Sequence, residues 1–561
     1  MVHVKIDGIT RLYWYEDMLT YNEKITPKRR DRPWLLVILV LIWVLGTAFF
    51  HSPWEPYEPF VLSVVKSILR DNNWLVPYVS HVPYLEIQPF YFWLFAAILK
   101  LFNVNDIYSI ANCIRLINTF LIFAVIALSA RIGSNLSAYK NGRSVVLILI
   151  SSIGFINLSY QISPDIMVLL GFCLYLYALQ LHRKLPGISG WLLFTGLLFI
   201  SISFSCEFIL IALLTLVLLP IVDKHWRNRN FFMTAGISVM LFAIIFYSYC
   251  YGLQQVDKDF FWLWKNRYME IIHIQNYSIW RQFKETFIIM SWFLVPASFL
   301  VVWTVYKRKL AIFKDKIIQV NIIFATMLFI FSVFSGKDVN QSIFPIVLPF
   351  VFIASLEIDS IRITIVSLLN WFSIFIFGSF GAAVWIGYIL FNLNIPEAFM
   401  KEVFRFTQQF QYKFNSWHLL LAVLITLIWL FMITRRGIRG REVVSNWASG
   451  TTFVLVLFLT LWLPWFDSIL TFRPMVENSV KYIDKKACIV TNGSNTVQGA
   501  LWYYYADINL LPAFFNLNFN LCNQALVAVE NIKEIDSKVW DIVWQEKRPI
   551  DKKIYVVIHH K

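Results

Sequence analysis

Apolar residues in this 561-residue chain arrive in long runs broken by short polar turns, with little of the alternation expected of half-buried strands. The first run, "PWLLVILVLIWVLGTAFF" from Pro33 to Phe50, is close to the roughly 20 apolar residues that a helix needs to cross a bilayer. Reading for that length predicts thirteen spans, near 34–50, 107–130, 144–160, 164–181, 190–204, 207–222, 231–252, 284–305, 317–334, 342–356, 363–390, 418–434 and 451–470. The pattern therefore predicts an α-helical polytopic membrane protein. Its first 32 residues are polar and its first apolar run has span length, so that run is expected to stay as an anchor.

Basic residues in short loops set the orientation. Lys28, Arg29, Arg30 and Arg32 precede the first span and place residues 1–33 in the cytoplasm. The loops Arg131 to Arg143, His182 to Lys184, Lys224 to Arg229, Lys307 to Lys316 and Arg435 to Arg441 belong on the same side. They agree with one another only if "PFYFWLFAAILKLF", Pro89 to Phe102, does not cross; short and aromatic-rich, it suits a helix lying in the outer interface. A membrane part spanning 34–470 then carries an outer first loop, 51–106. Residues 471–561 are expected outside as a small α/β domain, with strand-like "ACIVTNG", "QALVAVE" and "KIYVVIHH" around a polar-aromatic stretch.

Composition agrees with this picture. Hydrophobic residues make up 58% of the chain and charged residues 15%, with a mean hydropathy of +0.62. In such a chain the net charge of +15 is the cytoplasmic Lys/Arg bias, which sets nucleic acid aside as a partner. The 23 Trp and 25 Tyr residues suit a large membrane-water interface. Six cysteines show no CxxC spacing, so no zinc or redox motif is indicated; only Cys488 and Cys522 share a polar region, and their pairing stays open.

Residues able to do chemistry collect on the outer side. Glu55 and Glu58 lie three apart in "HSPWEPYEPF", and Glu86 follows in "YLEIQPFYFW". Asp165 opens a span in "SPDIMV", where a helix-start carboxylate is the plain reading. Lys337 and Asp338 sit in the turn "SGKDVNQS", where a lone lysine is usually a snorkelling anchor. The outer loop "WKNRYMEIIHIQ" adds Lys265, Arg267, Glu270 and His273, with Arg281 beyond it. Together these would line a cavity near the lipid headgroups, where cations neutralise phosphate and a carboxylate takes a proton from a hydroxyl.

At these residues the chain resembles the GT-C membrane glycosyltransferases, in particular the family-39-like branch that holds the lipid A aminoarabinose transferases and is related to protein O-mannosyltransferases. The resemblance runs in order over roughly residues 34 to 360, through "YEPFVLSVVKSILRDNNWLVPYVSHVPYLEIQPFYFWL", "SPDIMV" and "FSVFSGKDVNQSIFPIVLPF". It implies a GT-C-like fold with about 13 spans, outer interfacial helices and a small outer C-terminal domain. It matches Glu58 to the Glu of a first-loop acidic pair, Asp165 to a second outer acid and Lys337 to a lysine that meets lipid phosphate. Glu86 and Pro89 match a proline-rich segment, and Arg115 in "NCIRLINTF" matches a structural arginine. Three positions depart from the family pattern: Tyr57 stands for the first-loop Asp, Ile87 for the Lys of "K-P-P", and Glu207 for a later Lys.

The implied activity is transfer of a hexose or pentose from a polyprenyl (undecaprenyl) phosphate donor to an envelope acceptor such as lipid A, another glycoconjugate or a protein. Glu58 or Glu55, with Asp165, would serve as catalytic acids. Lys337, Arg267 and Arg281 would hold phosphate, with Tyr57 and Glu86 lining the donor. Some branches of the family use a divalent cation and others do not; no metal ligand is assigned here. The site is expected to face the periplasm or exterior of the inner (plasma) membrane. A protein of this fold that binds or assembles lipid-linked sugar without catalysis is the alternative. A transporter fits less well, because the acids gather on one side of the membrane and no paired repeats appear.

Overall fold

The computed structural model describes residues 33–47, 51–80, 82–104, 106–136, 141–270, 278–398, 401, 403, 416–434, 440–492, 497–513, 522–536, 538–548 and 550–561. The basic N-terminal segment and His273 lie outside them. Residues up to Leu41 form a unit of their own, of which the described part is the start of the helix Pro33–Thr47; Ile42–Lys561 form a second unit.

Each apolar run of the sequence falls on a helix or a bent pair of helices. Among the described residues, six helices are long and apolar enough to cross a membrane: Ile107–Ser134, Arg229–Val256, Lys316–Ser335, Ile363–Leu393, Ser416–Ile433 and the segment Arg441–Tyr482. Two further candidates are bent pairs, Gly142–Ser151 with Ile153–Ser159 at 71° and Ile279–Phe293 with Ala297–Lys314 at 97°. Asp165–Leu181, Pro186–Ile200, Glu207–Val222 and Val339–Ala354 are shorter apolar helices. This is a multi-pass membrane protein.

Small residues bring some of these helices into close contact. A Cβ on Gly171 would lie 2.9 Å from the Gly196 carbonyl oxygen, and one on Gly196 would lie 2.9 Å from that of Gly171. Asp165–Leu181 and Pro186–Ile200 therefore pack backbone to backbone, which fixes where Asp165 emerges.

The first loop folds into two helices. Glu58–Asp71 starts with Glu58 and Pro59 in its first turn and ends at Asn72, whose φ of 57° turns the chain out of the helix. It buries Val61, Leu62, Val65 and Ile68 against Tyr91, Phe92, Phe95 and Leu99 of the helix Pro89–Leu101. Ile87, where the resemblance leads one to expect a lysine, lies in the same apolar cluster. A short hairpin, β1 (Tyr78–Val79) with β2 (Val82–Pro83), joins the two helices.

The C-terminal domain is a five-stranded sheet of β3 (Ile489–Asn492), β4 (Leu511–Ala513), β5 (Gln524–Val529), β6 (Trp540–Glu546) and β7 (Ile554–His560), in the order β4-β3-β5-β7-β6. β3 runs parallel to β4 and β5, while β7 is antiparallel to both β5 and β6. The three strand-like stretches of the sequence became β3, β5 and β7, and the polar-aromatic stretch became the helix Val497–Ala506. Cys488 and Cys522 form a disulfide beside β3 and β5. The helix packs onto the first loop: Ala500 and Tyr504 join the cluster of the loop helices. Lys66 donates to the carbonyls of Tyr503 (3.1 Å) and Tyr504 (2.8 Å) near that helix's end and pairs with Asp507 at 2.7 Å. First loop and C-terminal domain thus share one end of the helix bundle.

Candidate functional site

Three segments far apart in sequence supply the centre of the site. The first is the turn before the helix Glu58–Asp71, which presents Tyr57. The Tyr57 hydroxyl accepts from Gln341 Nε2 at 3.4 Å, and its ring leans on Phe204 at 5.4 Å. Burial, and then the negative charge of Asp165, push its phenol up to about 12, so it keeps its proton at neutral pH. The charges of Asp338 and Glu86 act in the same direction, which places both acids in its neighbourhood.

Asp165 is the second contribution. It is buried at the head of its helix, accepts from Ser163 Oγ at 3.1 Å and makes no ion pair among the described residues. Tyr91 lies between the acids: fully buried, its hydroxyl has no protein partner, and burial followed by the charges of Asp165 and Glu58 holds its phenol well above the usual range.

The third segment is the turn after Lys316–Ser335, where Gly336 at φ 67° reverses the chain and delivers Lys337. Lys337 Nζ donates to the backbone carbonyl of Glu270 and stands 3.6 Å from Glu207 Oε2. That distance is an ion pair but too long for a hydrogen bond, and Oε2 is buried without a donor. The departure read at position 207 therefore sits beside the lysine. Arg267 completes the ring, bonding both Glu86 oxygens at 3.2 and 3.3 Å and the Glu270 carboxylate at 3.4 Å.

Not every expected residue joins this ring. Glu58 turns away from it into a buried cluster, accepting from Arg115 Nη2 (3.2 Å), Trp54 N (3.2 Å) and Ile162 N (3.4 Å). His51 borders the pair, 3.9 Å from Glu58. Burial lowers its pKa, and the Arg115 charge adds to that against the pull of Glu58, so the imidazole is neutral at pH 7. Glu55 is drawn to Arg548 of the C-terminal domain at 3.2 Å. Arg281 is exposed and pairs with Glu285 one turn along its own helix at 2.8 Å, the local partner that an i,i+4 spacing provides. Glu55 and Arg281 are thus paired with residues outside the group around Tyr57 and Lys337.

Gln341, Tyr91 and Asp467 were not legible as site residues. Gln341 and Tyr91 carry no charge, the first in a polar turn and the second in an aromatic-rich stretch; Asp467 lies at the end of the last long helix, about 415 residues from its partner Ser52. Among the described residues no group of three or more His, Cys, Asp or Glu is placed to hold a metal ion, and the acids of the site are mostly engaged with Arg, Lys or hydroxyl partners.

No protein-family model and no curated protein matches the chain in sequence. Its fold is similar to crystal structures of ArnT from Cupriavidus metallidurans. The one bound to undecaprenyl phosphate matches with a TM-score of 0.63 at 12% identity, and the apo state with 0.64 at 11%. Both matches cover 93% of this chain and 97% of the other. The many-helix membrane fold with a small C-terminal sheet domain expected from the sequence is the fold found.

Proposed function

We propose that the chain is an inverting membrane glycosyltransferase. It takes a sugar from a polyprenyl phosphate donor and places it on an envelope acceptor, which is lipid A, another glycoconjugate or a protein. One arrangement supports this reading: Tyr57 feels the charge of Asp165 and is bonded to Gln341 of the segment that carries Lys337, on a fold like that of an undecaprenyl-phosphate-bound protein.

Lys337 would leave the Glu270 carbonyl for the donor phosphate, and Arg267, half exposed beside it, would add a second charge-assisted bond. Tyr57, protonated and pointing toward Gln341, has a proton to donate to a phosphate or sugar oxygen. The bond between the anomeric carbon and the phosphate oxygen breaks as the acceptor oxygen attacks from the opposite face. Asp165 receives the proton that an acceptor hydroxyl gives up; a phosphate acceptor releases none and needs no base. Positioning and charge balance then do most of the catalysis. In this reading the site faces the periplasm or exterior of the inner (plasma) membrane.

A second reading has one observation in its favour. Glu207 neutralises Lys337 where a free cation would serve a phosphate better, which suits a protein that binds or assembles lipid-linked sugar without transferring it. Mass spectrometry of lipid A and surface glycans separates the two. Transfer to a hydroxyl predicts a one-sugar mass difference that disappears on deletion and equally in Asp165→Asn; a hydroxyl-linked glycan lost on deletion but retained in Asp165→Asn would sink the catalytic role and leave the binding one.

A further inference from the structure

The polar side chains of "HSPWEPYEPF" are held by distant parts of the molecule, and only that of Tyr57 is bonded toward the candidate site, by Gln341. The carboxylate of Asp467, at the end of the long helix Gly440–Leu470, accepts from Ser52 N at 2.8 Å, Ser52 Oγ at 3.2 Å and Trp54 Nε1 at 3.0 Å. Trp54 in turn stacks on His51, with ring centroids 3.9 Å apart. Glu55 accepts from Arg548, whose guanidinium is buried, bonds Asp551 through two nitrogens at 2.7 and 2.8 Å, donates to the Leu470 carbonyl at 2.7 Å and lies 3.4 Å over the Phe472 ring. Glu58 is fixed by Arg115. Anchors therefore stand on both sides of Tyr57, whose hydroxyl alone points toward the site.

We propose that Asp467 and Arg548 are positioning residues that hold Tyr57 at the donor site, so that the last long helix and the C-terminal domain set the geometry of a site to which neither contributes a reacting group. The proposal rests on the functional reading above. Its physical basis is the sensitivity of such sites to misplacement of about 1 Å, which can cost on the order of a hundredfold in rate. Asp467 carries most of the load, because it makes three bonds to the loop and none of them depends on an exposed partner. The Glu55–Arg548 bond is weaker, since the Glu55 side chain is 44% exposed and its charge is screened.

The test uses the full chain in detergent or nanodiscs and two independent readouts. The first is the rate of oxidative cross-linking between Tyr57→Cys and Gln341→Cys, mapped by mass spectrometry. Adding Asp467→Ala should slow it at least fivefold and Glu55→Ala about twofold, with hydrogen exchange in β5 and β7 unchanged as the check that the C-terminal domain stays folded. The second is binding of undecaprenyl phosphate. Asp467→Ala should weaken it about as much as Tyr57→Phe does, and combining the two should add little, because both act through the same hydroxyl. An unchanged cross-linking rate, or losses in binding that multiply in the double variant, overturns the proposal. Wild-type protein that fails to bind undecaprenyl phosphate would overturn the functional reading instead, and the cross-linking rate would still decide whether Asp467 holds Tyr57.

Discussion

Two acid–base pairs with buried carboxylates, Glu58–Arg115 and Glu207–Lys337, are built differently. In Glu58–Arg115 the partners are 3.2 Å apart, both about 3% exposed, and both carboxylate oxygens have donors from Arg115, Trp54 and Ile162, although Arg115 Nε is left without a partner. In Glu207–Lys337 the gap is 3.6 Å, the lysine is 19% exposed, it takes a backbone carbonyl as its hydrogen-bond acceptor, and Glu207 Oε2 has no donor at all. A buried ion pair offsets its desolvation only when its hydrogen bonds are filled. The carboxylate of the first pair meets that condition and ties a loop to a helix, while that of the second falls short of it at Oε2. The contrast separates the acid that builds the site from the cation that would meet a ligand.

The largest effect should come from breaking the filled pair. Arg115→Ala leaves Glu58 charged and unpaired in the interior, which costs about 3–5 kcal/mol; a thermal melt in detergent should show a large fall in Tm, and a melt like that of the wild type would remove the structural assignment. Changing the under-filled pair should tell on binding. Lys337→Ala is expected to weaken undecaprenyl phosphate binding roughly tenfold or more, about 1.4 kcal/mol, and unchanged affinity takes the lysine out of the phosphate site. Glu207→Gln removes the competitor for Lys337, so affinity for the same lipid should rise by about threefold; a drop would mean that Glu207 itself contacts the ligand. Smallest of all, Arg281→Ala should leave both affinity and Tm where they were, because its exposed pair with Glu285 touches nothing of the site.

Much of the architecture was legible in the chain. Span-length apolar runs announced the helices, since the bilayer sets that length, and the strand-like stretches after residue 471 announced β3, β5 and β7. β4 and β6 were not seen. β4 is three residues long, and β6, "WDIVWQE", has a burial pattern too mixed to read as an alternating strand. Of the candidate site residues, Arg267 pairs with Glu86, and Tyr57 feels the charges of Asp165 and Glu86 and is bonded to the segment that carries Lys337. The sequence could not distinguish Glu58 from Asp165, because two acids at the heads of apolar helices look alike until their partners are known.

What the sequence by itself determined is local: where the apolar runs begin and end, and which polar residues flank them. Only the tertiary structure decided which of those polar residues are already used. Glu58 is claimed by Arg115, Glu55 by Arg548 and the backbone beside Trp54 by Asp467, partners 57, 493 and about 415 residues away. Helix length and hydropathy follow from neighbouring residues, whereas the choice of a hydrogen-bond partner at such separations depends on how whole helices pack, and close contacts such as that between Gly171 and Gly196 settle it.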